Sequence, residues 1–221
     1  MDFEQLALNL QKTHEYLQNR AVSAVNQSLT IRNWLYGYYI VEYEQNGQDK
    51  SKYGDKLLTA LARYLKNKGM QGVSQRNLHY YRQFYLVFPD IGQILLKTDI
   101  PKAILQTVSA KSETVKQEHE PIGVGPEILI SKLSFSHIID LIGEKNPAKR
   151  AFYEIETIKG NWSVRELQRQ MGSLMYERTG LSGDKKDSLK DNTNNLQLKP
   201  EEVIRDPYVF EFLNLPPKDK K

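Results

Sequence analysis

Leu57, Leu58, Leu61 and Leu65 fall on one side of a helix, with Lys56, Arg63 and Lys66 on the other. A glycine-containing break, Gly69-Met70-Gln71-Gly72, ends that stripe. Ser74 then offers an N-cap hydroxyl for a second helix that runs to about residue 88, where Pro89 stops it. In this second helix Leu78, Tyr81, Phe84, Tyr85 and Phe88 face inward, while Gln75, Arg76, His79, Arg82 and Gln83 face outward. Two amphipathic helices in series must bury their stripes against further helices, so the spacing predicts a mainly α-helical domain built on helix–turn–helix or winged-helix-like units.

The rest of the chain supports that class. Residues 6–44 read as one helix, with Ile31, Leu35, Tyr38 and Tyr39 on a common face, Gly37 a weak point inside it and Asn46-Gly47 its end. Residues 107–126 are polar and aperiodic and read as a loop. Helical spacing resumes over 134–142. Pro147 suits the first turn of a further helix whose apolar face is Ala148, Phe152, Ile155 and Ile158. Ser163 and Glu166 form a capping-box pair opening a helix to about residue 178, with Val164, Leu167, Met171, Leu174 and Met175 inside and Arg165, Arg169 and Tyr176 outside. Trp162, at that helix start, is expected as a buried anchor. The expected organisation is a helical domain over 1–180 with units near 55–88 and 147–178, a polar linker over 181–200, and a short helix within 201–221.

Several chemistries lack the residues they need. The absence of cysteine removes disulfides, thiolate metal sites and cysteine nucleophiles. His14, His79, His119 and His137 are far apart in sequence and match no metal-ligand spacing, so no metal or other cofactor is expected. Gly123-Val124-Gly125-Pro126 lacks the third glycine and the preceding strand of a dinucleotide loop. Pro89-Asp90 and Asp184-Lys185-Lys186 match a PD…DxK nuclease pattern only formally, since neither sits on a β-branched strand that would cluster carboxylates around a metal. No apolar run reaches membrane-spanning length and the first residues lack the features of a signal peptide, so a soluble, cytoplasmic protein is expected.

Charge supplies the functional lead. The chain carries a net +4, and from Ser51 to Phe88 Lys52, Lys56, Arg63, Lys66, Lys68, Arg76 and Arg82 stand against Asp55 alone. Lysines there would neutralise phosphates, while arginine and glutamine can pair with guanine and adenine edges. The nucleic-acid-binding set is therefore Lys56, Arg63, Lys66, Lys68, Gln75, Arg76, His79, Arg82 and Gln83, with DNA preferred over RNA and no catalytic residue among them. A basic solvated helix face also occurs without any nucleic acid. The competing function is a protein-interaction or self-association module docking a nuclease partner through the aromatic run 34–43 or the segment 208–215.

A family resemblance points the same way. Tyr53-Gly54, Leu61, Gly72-Val73-Ser74-Gln75-Arg76-Asn77-Leu78, Tyr81-Arg82-Gln83-Phe84-Tyr85, Leu133-Ser134-Phe135-Ser136-His137, Arg150-Ala151-Phe152-Tyr153-Glu154, Trp162-Ser163-Val164-Arg165-Glu166-Leu167 and Tyr176-Glu177-Arg178 occur in this order. Together they resemble the N-terminal domain of the YhcG-like family of bacterial nucleases. Asp206-Pro207-Tyr208-Val209-Phe210-Glu211-Phe212-Leu213 resembles the segment that joins that domain to a PD-(D/E)XK nuclease domain. The resemblance implies a non-catalytic domain of a nuclease system, with the nuclease domain itself expected to be absent from this chain.

Overall fold

The computed structural model describes residues 1–46, 55–95 and 123–180. Among these the regular elements are all helices: α1 Phe3–Asn46, α2 Asp55–Asn67, α3 Gln75–Val87, α4 Ile91–Leu95, α5 Pro126–Lys132, α6 Phe135–Gly143, α7 Pro147–Gly160, α8 Val164–Gly172 and α9 Met175–Gly180. The mainly α class holds, and the described residues contain no strand that would serve as a wing. The polar linker over 181–200, the terminal segment 201–221 and most of the loop 107–126 lie outside the described residues.

The second half of α1 and the whole of α3 form the centre. Leu29, Trp34, Tyr38, Leu78, Tyr81 and Phe84 are all buried in one apolar cluster that continues into Leu129, Phe135, Ile138 and Tyr153. Trp34 extends its indole N–H to the carbonyl of Phe88 at 2.8 Å, tying α1 to the end of α3. The two helices approach closely because Gly37 has no side chain: a Cβ there would lie 1.9 Å from the Tyr81 carbonyl oxygen. The glycine that weakens the helix by propensity is what lets its neighbour pack.

The face of α1 expected from apolar spacing is only partly right. Leu35 and Tyr38 are buried and Ile31 half-buried, but Tyr39 remains 38% exposed. The core face instead includes Asn26, Thr30 and Asn33, each wholly buried. Asn26 has a physical reason to be there: its amide donates to the carbonyls of Ile130 at 3.2 Å and Leu133 at 2.8 Å. Carbonyls at a helix C-terminus have no partner within the helix, and here α1 supplies one at the end of α5.

Side-chain caps set the starts of α3, α6, α7 and α8. The Ser74 hydroxyl accepts from the Asn77 N–H at 3.1 Å, and Asn146 accepts from both Ala148 and Lys149 at the start of α7, where Pro147 occupies the first turn. Ser163 accepts from Glu166 at 3.2 Å. In α6 the capping box uses His137 where glutamate or glutamine is usual. Its Nδ1 accepts from the Ser134 backbone N–H at 3.2 Å, so the neutral ring carries its proton on Nε2 and donates to the Trp162 carbonyl at 3.0 Å. One histidine thus caps a helix and fixes the α7–α8 turn.

Three expectations fail in this half of the molecule. The helix expected over 163–178 breaks at Ser173 and Leu174, where Leu174 takes a φ of 54° and is 54% exposed rather than buried. The break resets the helical phase. Tyr176, expected outside, consequently packs its ring edge-on against Phe152 at 5.4 Å. Ala148 is exposed because it lies in the first turn of α7, ahead of the buried stretch that begins at Ala151. Helices α4 and α5 were not legible: each is too short to display a period, and α5 starts at Pro126, inside the region expected as loop. Trp162 is half-buried against the core, close to the expected anchor role.

Candidate nucleic-acid interface

Helices α2 and α3 are joined by positions 68–74, a longer connection than the four-residue break seen in sequence. Gly69 and Gly72 both have positive φ, 80° and 72°, which side-chain-bearing residues rarely adopt. The Gly72 carbonyl accepts from Tyr81 Oη at 2.8 Å and Asn77 Nδ2 at 3.2 Å, so the turn is stapled to the buried face of α3. The outer residues of α3 are thereby held on a rigid support.

Of the candidate residues, Lys56, Arg63, Lys66, Lys68, Gln75, Arg76 and His79 are exposed. Lys56 and Arg63 are two helical turns apart on one side of α2, and with Thr59 and Ala60 they border a shallow depression of about 360 Å³. Lys68 places its ammonium 5.7 Å from the centre of the Tyr64 ring. Arg76 donates from Nε to Tyr80 Oη at 2.9 Å, with the guanidinium 5.4 Å from that ring. Both contacts keep a cation beside an aromatic face.

Arg82 and Gln83 differ from the rest. Both are half-buried, and Arg82 is held by Glu44 of α1 in an ion pair of 2.8 Å between Nε and Oε2. The helical period that put Arg82 outside was sound locally, but α1 runs past that face and brings a carboxylate to it. The basic surface is accordingly narrower than the sequence indicates. It is formed by Lys56, Arg63, Lys66, Lys68 and Arg76.

Sequence reasoning overlooked Tyr64, which is 61% exposed and lies between Arg63 and Lys66 on the outer side of α2. The Lys68 ammonium lies 5.7 Å from the centre of its ring. Helical phase gave no signal of this exposure: seven positions after Leu57, Tyr64 falls at the edge of the leucine stripe.

The second unit, α7 to α9, pairs several of its charges internally, while Arg165 stays exposed. Lys149 bridges Glu144 at 3.4 Å and Glu177 at 2.7 Å, Arg150 pairs with Glu154 at 3.6 Å, and Arg169 pairs with Glu166. These pairs include none of Lys56, Arg63, Lys66 and Lys68. Helix α8 packs on α6 and α7.

Glu154 is the least expected residue of the unit. It is 2% exposed, accepts from the Val124 N–H at 3.3 Å, and sits against Gly123, where a Cβ would come within 2.6 Å of Oε2. Burial pushes its carboxyl up to about 7, against the opposing pull of the Val124 N–H and the Arg150 charge. It borders a small cavity of about 140 Å³ with Phe88, Asp90, Val124, Leu129 and Arg150. No group of three or more metal-ligating side chains occurs among the described residues, and no helix among them is long and apolar enough to cross a membrane. Asp90 belongs to no such metal-ligating group among the described residues, and Asp184-Lys185-Lys186 lies outside them.

The fold and this surface define a helical domain that presents a basic, aromatic-bearing helix pair on a packed core. Residues 9–178 match the family described as DUF1016 N-terminal domain, and the chain belongs to that family. It is also 36% identical over 205 residues to an Escherichia coli (strain K12) protein named "Putative nuclease YhcG", an alignment covering 90% of this chain and 52% of that protein. The chain thus spans about half the length of this curated relative. No solved structure matches it. The YhcG-like resemblance is established at the level of family.

Proposed function

We propose that the chain is a non-catalytic, DNA-binding domain that positions a nuclease on its substrate. The observation that carries this reading is the exposed basic strip of Lys56, Arg63 and Lys66 on α2 and Lys68 just past its end, with Tyr64 among them and α2 packed against α3. Cations that the carboxylates among the described residues leave unpaired are available to phosphates, and each phosphate engaged releases counterions. Gln75, Arg76 and His79 lie in the first turns of α3, where a helix end can approach bases or backbone. The nuclease context comes from the name of the curated relative, about half of whose length the chain spans.

The test is fluorescence anisotropy with labelled duplex DNA, single-stranded DNA and RNA at low and moderate salt. Duplex binding that weakens steeply with salt is expected. An Arg63→Ala/Lys66→Ala variant should bind more weakly on every sequence, with the salt slope shallower by about one for each phosphate no longer engaged. Unchanged binding in that variant, or a flat salt response, refutes the assignment.

A further inference from the structure

The first half of α1 leaves the domain behind. Every residue from 1 to 18 is exposed, and the helix first enters the core at Val22. It carries Phe3 at 82% exposure, Leu6 at 40%, Leu10 at 64% and Leu17 at 54%. An isolated helix of this length is marginal in water, and single hydrogen bonds such as Gln11 Nε2 to Glu15 at 2.8 Å add little to it.

Four of the seven large apolar residues exposed here, Phe3, Leu6, Leu10 and Leu17, share one line, while Met1, Leu8 and Tyr16 lie off it. Phe3, Leu6, Leu10, Thr13, Leu17 and Arg20 follow one another at alternating intervals of three and four, the spacing that keeps a single seam facing a partner helix. Thr13, the polar member in mid-seam, already donates its hydroxyl to the Asn9 carbonyl at 2.7 Å, so it can enter a seam without an unsatisfied donor. We propose that this seam pairs antiparallel with the same segment of a second copy of the chain.

Charge selects both the occupant and the orientation. The start of the segment is acidic, with Asp2 and Glu4, and its seam ends in the cation Arg20. Antiparallel pairing sets Leu6 of one copy against Leu17 of the other and Leu10 against Thr13. It also brings Arg20 of each copy beside Phe3 of the other, between Asp2 and Glu4. Parallel pairing would stack Arg20 on Arg20 in the seam, a like-charge contact. The segment is therefore complementary to its own reverse.

Light scattering on the full chain at tens of micromolar should give twice the chain mass. Leu10→Glu/Leu17→Glu should give the single-chain mass while circular dichroism still shows a cooperatively melting core, because neither residue belongs to that core. Leu8→Glu, also exposed but off the seam, should remain a dimer. A wild-type mass of one chain up to about 100 μM, a dimer that survives the double substitution, or dissociation by Leu8→Glu would each overturn the proposal. Orientation is read separately, since the chain has no cysteine. Leu6→Cys mixed with Leu17→Cys should form a disulfide between variants, and a disulfide of Leu6→Cys with itself alone would overturn the antiparallel arrangement.

Discussion

Replacing Glu154 by glutamine should stabilise the protein at neutral and alkaline pH. The carboxyl is almost fully buried, and its burial raises it from an ordinary 4.5 to about 7. That difference corresponds to about 3 kcal/mol of preference for the protonated form in the folded chain. Between pH 4.5 and about 7 the folded state holds this proton more tightly than the unfolded state does. Stability therefore declines as pH rises through that window, and above it the full penalty of a charged, poorly solvated carboxylate remains. Glutamine keeps the shape and an oxygen that can accept from the Val124 N–H, but has no charge to bury.

Urea unfolding of the wild type and Glu154→Gln from pH 4.5 to 8.5 measures the effect. The two should be nearly equal at the acid end, and the variant should be ahead by about 1–3 kcal/mol at the alkaline end, the range allowing for the lost Arg150 pairing. Asp140 is also raised by burial, so both proteins keep some decline with pH; the difference between them isolates Glu154. A variant less stable at every pH, with the wild-type pH dependence intact, would show that the carboxylate is held charged by Arg150 and refute the reasoning.

Gly37→Ala should destabilise despite the better helix propensity of alanine, because its Cβ would meet the Tyr81 carbonyl at 1.9 Å. A net loss of about 2 kcal/mol, or roughly 4–8 °C in Tm by calorimetry, is expected, and a rise in Tm would contradict the close α1–α3 crossing. His137→Ala should cost about 3 kcal/mol in urea unfolding, since it leaves the Ser134 N–H and the Trp162 carbonyl without their partner. His137→Gln should recover part of that loss by restoring the capping box, and equal losses in both variants would place the effect elsewhere. Arg82→Ala should lower stability by about 1–2 kcal/mol through the stranded Glu44 while leaving DNA affinity within about twofold. The reverse pattern, stable but binding poorly, would return Arg82 to the interface.

What the sequence made legible were the elements with local signals. Helix α3 carries its own N-cap at Ser74, its own stripe and its own stop, and α7 announces itself through Pro147; both appear where the spacing put them. The aromatic run 34–43, offered as a docking surface, is the opposite case. Trp34, Leu35, Tyr38, Ile40 and Val41 are buried, leaving Tyr39 and Tyr43 outside. Aromatic density reports a need for burial without saying whether this chain or another satisfies it. The second docking candidate, 208–215, lies outside the described residues.

The basic surface makes the same point with charge. Arg76 and Arg82 lie on one helix and look alike in sequence, yet Arg76 rests on a tyrosine of its own helix while Arg82 reaches a carboxylate thirty-eight positions back in the chain. Period and composition determine which side of a helix a residue occupies. Which of those residues remains available depends on what the other helices bring to that side, here the C-terminal end of α1. The N-terminal half of α1 presents the converse situation, an apolar seam to which the described fold brings nothing. One long helix therefore restricts the basic surface at one end and extends an unsatisfied seam at the other. If the seam pairs two copies, binding to a long duplex should exceed the affinity of one strip, and Leu10→Glu/Leu17→Glu should reduce that affinity without altering the basic residues.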